Sequence, residues 1–157
     1  MKKVGEKMKQ VTLVENCVAG LSVRTNNASE MQPQTAKIGE LHQRFAQQVK
    51  VDYEKGASLY GVYYQYEKDY TGDFNVLVGA DPDLVLSETE LEQVILPAGE
   101  YLMFSGEGEM PQVVIDVWGE IWRYFNSESC VHHRNYTVDF ECYSSEKNVD
   151  IYIAIEP

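Results

Sequence analysis

The sequence predicts an α+β fold made by tandem duplication. The first observation is that four landmarks recur in the same order with a period of about 80 residues, the kind of internal repeat that decides an architecture. The second is that each copy reads as strand, helix, strand, strand, with β-branched and aromatic runs around one amphipathic stretch. The third is composition: 157 residues, 44% hydrophobic and 24% charged, enough to bury a core without disulfides or metals.

The first landmark is a strand opening, Gln10-Val11-Thr12-Leu13 in one copy and Gln93-Val94-Ile95-Leu96 in the other. Pro97 and Gly99 then interrupt the second run, which predicts a bend or bulge. The second landmark is a helix start, Glu30-Met31-Gln32-Pro33 against Glu109-Met110-Pro111. Proline suits a first helical turn, and an acidic residue before it suits the positive end of the helix dipole. The third is the helix: Ile38, Leu41, Phe45 and Val49 in copy one, and Val114, Val117, Trp118, Ile121, Trp122 and Phe125 in copy two. The fourth is a strand pair, Tyr60 to Tyr66 with Asp73 to Val78, and Phe140 to Tyr143 with Asp150 to Ile155. Both intervening turns carry Glu-Lys, and Gly72 and Asn148 supply turn chemistry. Repeat 1 spans about 10–80 and repeat 2 about 91–157 of a single domain covering 1–157. The acidic, proline-containing stretch Asp81 to Glu92 reads as the linker. A pseudo-twofold duplication of this unit creates a central ligand cleft between the halves, a common place for small-molecule sites.

Thirteen basic against 25 acidic residues give a formal net charge of -12. That balance opposes direct nucleic-acid binding and anionic membranes, and through its field favours cationic partners; the same charge also serves plain solubility. Three cysteines without CxxC spacing, Cys17, Cys130 and Cys142, read as free thiols of a reducing compartment. The lysine-rich start Met1 to Gln10 lacks the apolar core of a secretory signal, and no run is long enough to span a membrane. A cytoplasmic protein is expected. Cys130 with His132-His133 lacks a second ligand pair at zinc spacing, and no nucleophile, phosphate-loop or dinucleotide motif occurs, so neither metal, cofactor nor catalytic triad is expected.

Strand alternation puts Glu141 and Tyr143 on one face, and Asp150 and Tyr152 on one face of the next strand. If the two strands form a hairpin, all four share a surface. A carboxylate flanked by aromatic rings is a means of holding a lipophilic cation, through charge and cation–π attraction. The competing reading of Glu141 is a solvated edge-strand carboxylate. Trp118 and Trp122, four apart, share a helical face. They read either as core or with Trp118 lining the cleft and Trp122 packing on the sheet. Tyr60, Val62, Tyr64 and Tyr66 share one strand face, with Gly61, Tyr63 and Gln65 on the other. Tyr60 and Tyr64 are candidates for a polar aromatic cavity, or for an amphipathic strand whose hydroxyls reach water.

Taken together, four stretches resemble the GyrI-like small-molecule-binding domain, also called the AraC-type effector-binding domain. They are Tyr60-Gly61-Val62-Tyr63-Tyr64 with Gly72-Asp73-Phe74; Leu96-Pro97-Ala98-Gly99-Glu100-Tyr101; the Trp118-to-Trp122 helix; and Phe140-Glu141-Cys142-Tyr143 followed by Asp150-Ile151-Tyr152-Ile153. The resemblance runs from Gln10 to Ile155. It implies the tandem fold with a central cleft, and ligands that are lipophilic cations, often for effector domains of multidrug-responsive transcription activators. It places the family's buried glutamate at Glu141 and a second acidic position and tyrosine at Asp150 and Tyr152, although Asp150 is shorter than the glutamate of that pattern. Only about nine residues precede the first strand, too few for a helix-turn-helix. The chain therefore resembles the stand-alone members, some of them integron-cassette encoded, and regulation would pass through a separate DNA-binding or other protein partner. The expected function is a non-enzymatic sensor, effector or sequestering module, with Glu141 buried and uncompensated until ligand arrives. The alternatives are a hydrolase with Glu141 as general base and Tyr143 or Tyr152 as proton donor, or a protein-interaction module such as a gyrase modulator.

Overall fold

The computed structural model describes residues 8–157, so most of the lysine-rich start read above lies outside the described residues. The fold is α+β. Strands β1 (Lys9–Leu13), β2 (Asn16–Thr25), β4 (Leu59–Tyr64), β5 (Phe74–Ala80), β7 (Glu92–Leu96), β8 (Gly99–Glu107), β9 (Val138–Ser145) and β10 (Asn148–Ala154) form one antiparallel sheet in the order β1-β8-β10-β9-β4-β5-β2-β7. Read from the centre outward, each half contributes the same series: β4-β5-β2 and β9-β10-β8.

Each repeat gives this sheet one strand more than the sequence predicts, because the long opening run breaks in two. Copy one breaks after Leu13 and copy two at Pro97-Ala98, where the Tyr101 hydroxyl donates to the Pro97 carbonyl at 2.7 Å. The severed ends are exchanged. β1 pairs with β8 of the other half, and β7 with β2. Separating the halves would therefore strip both edge ladders as well as the central β4–β9 pair.

Helix α2 (Ile38–Gln48) lies over β2 and β5, where Leu41 and Phe45 meet Phe74, Val76 and Val78. Helix α3 (Gln112–Phe125) lies over β8 and β10, where Val113, Val117 and Ile121 meet Leu102, Phe104, Val149 and Ile151. Gly106 admits this approach, since a Cβ there would lie 2.5 Å from Val117 Cγ2. The opposite sheet face buries Val18, Val62, Leu77, Tyr101 and Phe140, and the exchanged arms pack Leu13 and Leu96 against it.

Two helix starts differ from expectation. Pro33 lies in the turn between a one-turn helix α1 (Asn27–Glu30) and α2, which begins five residues later. Pro111 occupies the N-cap position of α3 rather than its first turn. The acidic residue before α2 still serves the dipole, because the Glu30 carboxylate accepts from the Lys37 and Ile38 amides at 2.9 and 3.1 Å. The expected linker is also more structured than predicted. It forms a 3-10 turn and β6 (Val85–Ser87), which pairs with β3 (Val49–Val51), because Val51, Val85 and Leu91 have an apolar surface to cover beside α2. Among the described residues no helix is long and apolar enough to cross a membrane.

Candidate functional site

The two helices cover the outer strands of each half and leave the central pair, β4 and β9, roofed by neither. A cavity of about 460 Å³ occupies that gap, walled by Gly39 and His42 of α2 and by Val114, Trp118 and Trp122 of α3. A second hollow of about 880 Å³ adjoins it, sharing His42, Pro111, Val114 and Tyr143 as common wall. Both volumes lie in the range of small-molecule sites.

The floor is set by strand register. Gly61 on β4 pairs with Glu141 on β9, where the two halves meet. Tyr63 and Tyr143 stand two residues further along their own strands, in opposite directions. The floor is thus nearly symmetric except at its centre, where one half supplies a carboxylate and the other a glycine. The absent side chain makes room: a Cβ at Gly61 would lie 2.5 Å from Glu141 Oε1.

Glu141 is 2% exposed and accepts three hydrogen bonds. Tyr63 donates to Oε2 at 2.8 Å, Trp118 Nε1 to Oε2 at 2.7 Å, and Tyr143 to Oε1 at 2.7 Å. Buried and bonded in this way, the carboxylate is held by neutral dipoles, and no salt bridge reaches it among the described residues. Burial, reinforced by the Glu141 charge, pushes both tyrosine hydroxyls well above their ordinary range, so they remain donors. Burial lowers the His42 imidazole below its ordinary value, against the pull of Glu141, and its ring meets Tyr143 edge-on at 6.1 Å. The Trp118 ring lies 5.2 Å from Tyr63 and 6.4 Å from Trp122.

At one end of the cavity stands a second buried group. Asp139, two residues before Glu141 on the same strand face, is fully buried. Its Oδ2 accepts from Arg134 Nη2 at 2.7 Å and from Tyr66 at 2.5 Å, and its Oδ1 accepts from the Ala154 amide at 2.9 Å. The Arg134 guanidinium carbon lies 4.3 Å from the Tyr136 ring centroid, while its Nε is buried without a hydrogen-bond partner among the described residues. Leaving a buried donor unpaired costs about 1–3 kcal/mol.

Of the eight residues singled out from sequence, Glu141, Tyr143, Trp118 and Trp122 line the cavity. Asp150, Tyr152, Tyr60 and Tyr64 do not. A bulge at Asn148/Val149 sets Val149 opposite Tyr143 and Ile151 opposite Glu141, so Asp150 and Tyr152 fall on the other sheet face. There Asp150 accepts from Ser105 at 2.6 Å, and Tyr152 stacks on Phe140 at 4.6 Å. Tyr60 and Tyr64 share that face. Trp122 does not pack on the sheet as expected; it stands 44% exposed at the cavity mouth. Glu141 is buried but already hydrogen-bonded rather than uncompensated.

The residues missed are Tyr63, Tyr66, Gly61, His42, Arg134 and Asp139. Strand parity held the signal for three of them: Asp139 shares the Glu141 face, and Gly61 and Tyr63 share the face opposite Tyr60. Tyr66 escapes parity because Gln65 adopts a positive φ of 51°, which breaks the alternation and turns Tyr66 toward the cavity.

Gly61→Ala is expected to displace the Glu141 carboxylate and break its bond to Tyr143, costing about 1–2 kcal/mol of stability. Thermal melting checks this, with a shift of several degrees expected and no shift contradicting the contact.

The family model of integron-associated effector binding proteins matches residues 11–155. An integron cassette protein from the mobile metagenome of Vibrio cholerae is 41% identical, over 96% of this chain and 97% of that one, with a TM-score of 0.85. A candidate transcription regulation protein of Staphylococcus aureus shares the fold at 16% identity, over 96% and 98% of the two chains, with a TM-score of 0.68. So does a protein solved with tetraphenylphosphonium bound, at 16% identity over 95% and 93% and a TM-score of 0.63. No curated protein matches the chain. With the family match spanning almost its whole length, the chain belongs to the integron-associated effector-binding proteins.

Proposed function

We propose that the protein binds lipophilic aromatic cations in the cavity between α2 and α3, with Glu141 as counter-ion, and that it acts without catalysis as a sensor, effector or sequestering module. One observation carries this reading. A buried carboxylate has three neutral donors and, among the described residues, no cationic partner, in a cavity walled by Trp118, Trp122, Tyr63 and Tyr143. An ion can be supplied from outside, and the rings meet it with their electron-rich faces. Tetraphenylphosphonium, bound by a protein of the same fold, is the natural probe. Its three free thiols fit a reducing compartment, and we place the protein in the cytoplasm.

Charge selectivity tests this most simply. Calorimetric titration with tetraphenylphosphonium should give micromolar affinity, about -8 kcal/mol, whereas tetraphenylborate, of the same shape and opposite charge, should not bind. Equal affinity for both would sink the proposal.

His42 adds a pH dependence. Its folded-state value is lowered from 6.5. As pH falls below about 6.5 the unfolded chain takes the proton first, so stability, full above that value, declines down through the folded-state value. A bound cation disfavours the imidazolium further. Cation affinity should therefore be level above pH 6.5 and fall as pH drops through the lowered His42 value, and His42→Asn should flatten the curve. A slope that persists in His42→Asn would contradict the assignment.

A further inference from the structure

Resting on that reading of Glu141, the geometry points to a second polar subsite at Arg134, one that takes a neutral hydrogen-bond acceptor on the same ligand. Three observations converge on it. Arg134 lines the cavity, its side chain is 7% exposed, and its Nε has no hydrogen-bond partner among the described residues. Arginine carries five N–H donors and no acceptor, so this group can be satisfied only by an oxygen or nitrogen lone pair. The charge is already answered by Asp139 at 2.7 Å, which leaves a donor rather than a net positive site. A ligand carboxylate gains little there, and a ketone, ester or ether oxygen is the fitting chemistry.

Spacing sets the ligand's shape. Glu141 and Asp139 alternate on one strand, so they stand about 7 Å apart along β9. Tyr66, bonded to Asp139, and Tyr63, bonded to Glu141, wall the space between. One aryl ring spans that distance. Nε itself is buried, so binding requires the guanidinium to swing about its Asp139 contact and turn Nε–H toward the ligand. The class is thus a lipophilic cation carrying a carbonyl or ether oxygen across one aromatic ring from the charge.

The test uses two phosphonium ions of nearly identical shape, (4-acetylphenyl)triphenylphosphonium and its 4-isopropenyl counterpart, titrated against the intact chain. The wild type should prefer the ketone about tenfold, the effect of one well-formed hydrogen bond. Arg134→Lys, which keeps a positive charge beside Asp139, should abolish the preference while still binding the isopropenyl ion. No preference in the wild type, or one that survives in Arg134→Lys, overturns the subsite. If the lysine variant does not fold, the bound ketone's carbonyl stretch in the wild type decides: a shift below its value in hydrocarbon supports the bond, and an unshifted band overturns it. The cation reading fails separately, through Glu141→Gln leaving both affinities unchanged, and if neither ion binds the wild type both readings fall.

Discussion

Glu141→Gln is expected to weaken tetraphenylphosphonium binding about 100-fold while leaving the protein folded. A cation centred about 5 Å from the carboxylate, at an effective dielectric of about 20, gains roughly 3 kcal/mol from the charge, or about two decades in affinity. The amide keeps most of the local hydrogen bonds. Its oxygen still accepts from Trp118 and Tyr63, whose bonds converge on Oε2. Its NH2 takes the place of Oε1, and Tyr143 turns its hydroxyl to accept instead of donate. The stability change is therefore about 1 kcal/mol. Calorimetry with thermal melting on the same samples separates the two effects, and an unchanged affinity would remove Glu141 from the site.

Asp139→Ala should do the reverse, with the largest cost falling on the fold. The substitution strands the buried Arg134 charge and removes the acceptor for Tyr66 and for the Ala154 amide. Removing one partner of a buried pair costs about 3–5 kcal/mol. For a chain of this size that is roughly 10 °C in Tm. Asp139→Asn should lie between, since the amide oxygen still accepts while the charge is gone. A melting point within a degree or two of wild type for the alanine variant would show that water reaches this pair.

These two carboxylates also mark how far the sequence could be read. The repeat was legible because four landmarks kept their order, and with it came the α+β class, the helices and the strand pair that closes each copy. The carboxylate at 141 and Trp118 were legible because β9 and α3 follow simple alternation and helical spacing. Asp150, Tyr152, Tyr60 and Tyr64 lie on the sheet face away from the cavity, where alternation alone does not put them. For the first pair the cause is the bulge at Asn148/Val149, a single extra residue that inverts every side chain beyond it. For the second, alternation holds but does not name the face: both sheet faces are buried, and burial alone does not tell the helical side from the other. Helix placement over the outer strands decides it, and that is a tertiary fact. The exchange of β1 and β7 between halves is likewise beyond local pattern, because either edge offers these strands the same ladder.

In the proposed complex a lipophilic cation sits against Glu141, over the β4–β9 pair. Tetraphenylarsonium has the shape and charge of the phosphonium and places an anomalous scatterer at the centre of that charge. Crystals grown with it should show a single arsenic peak between α2 and α3, within about 5–6 Å of the Glu141 carboxylate and among the rings of Trp118, Tyr63 and Tyr143. A peak elsewhere on the protein, with this cavity empty, would contradict it.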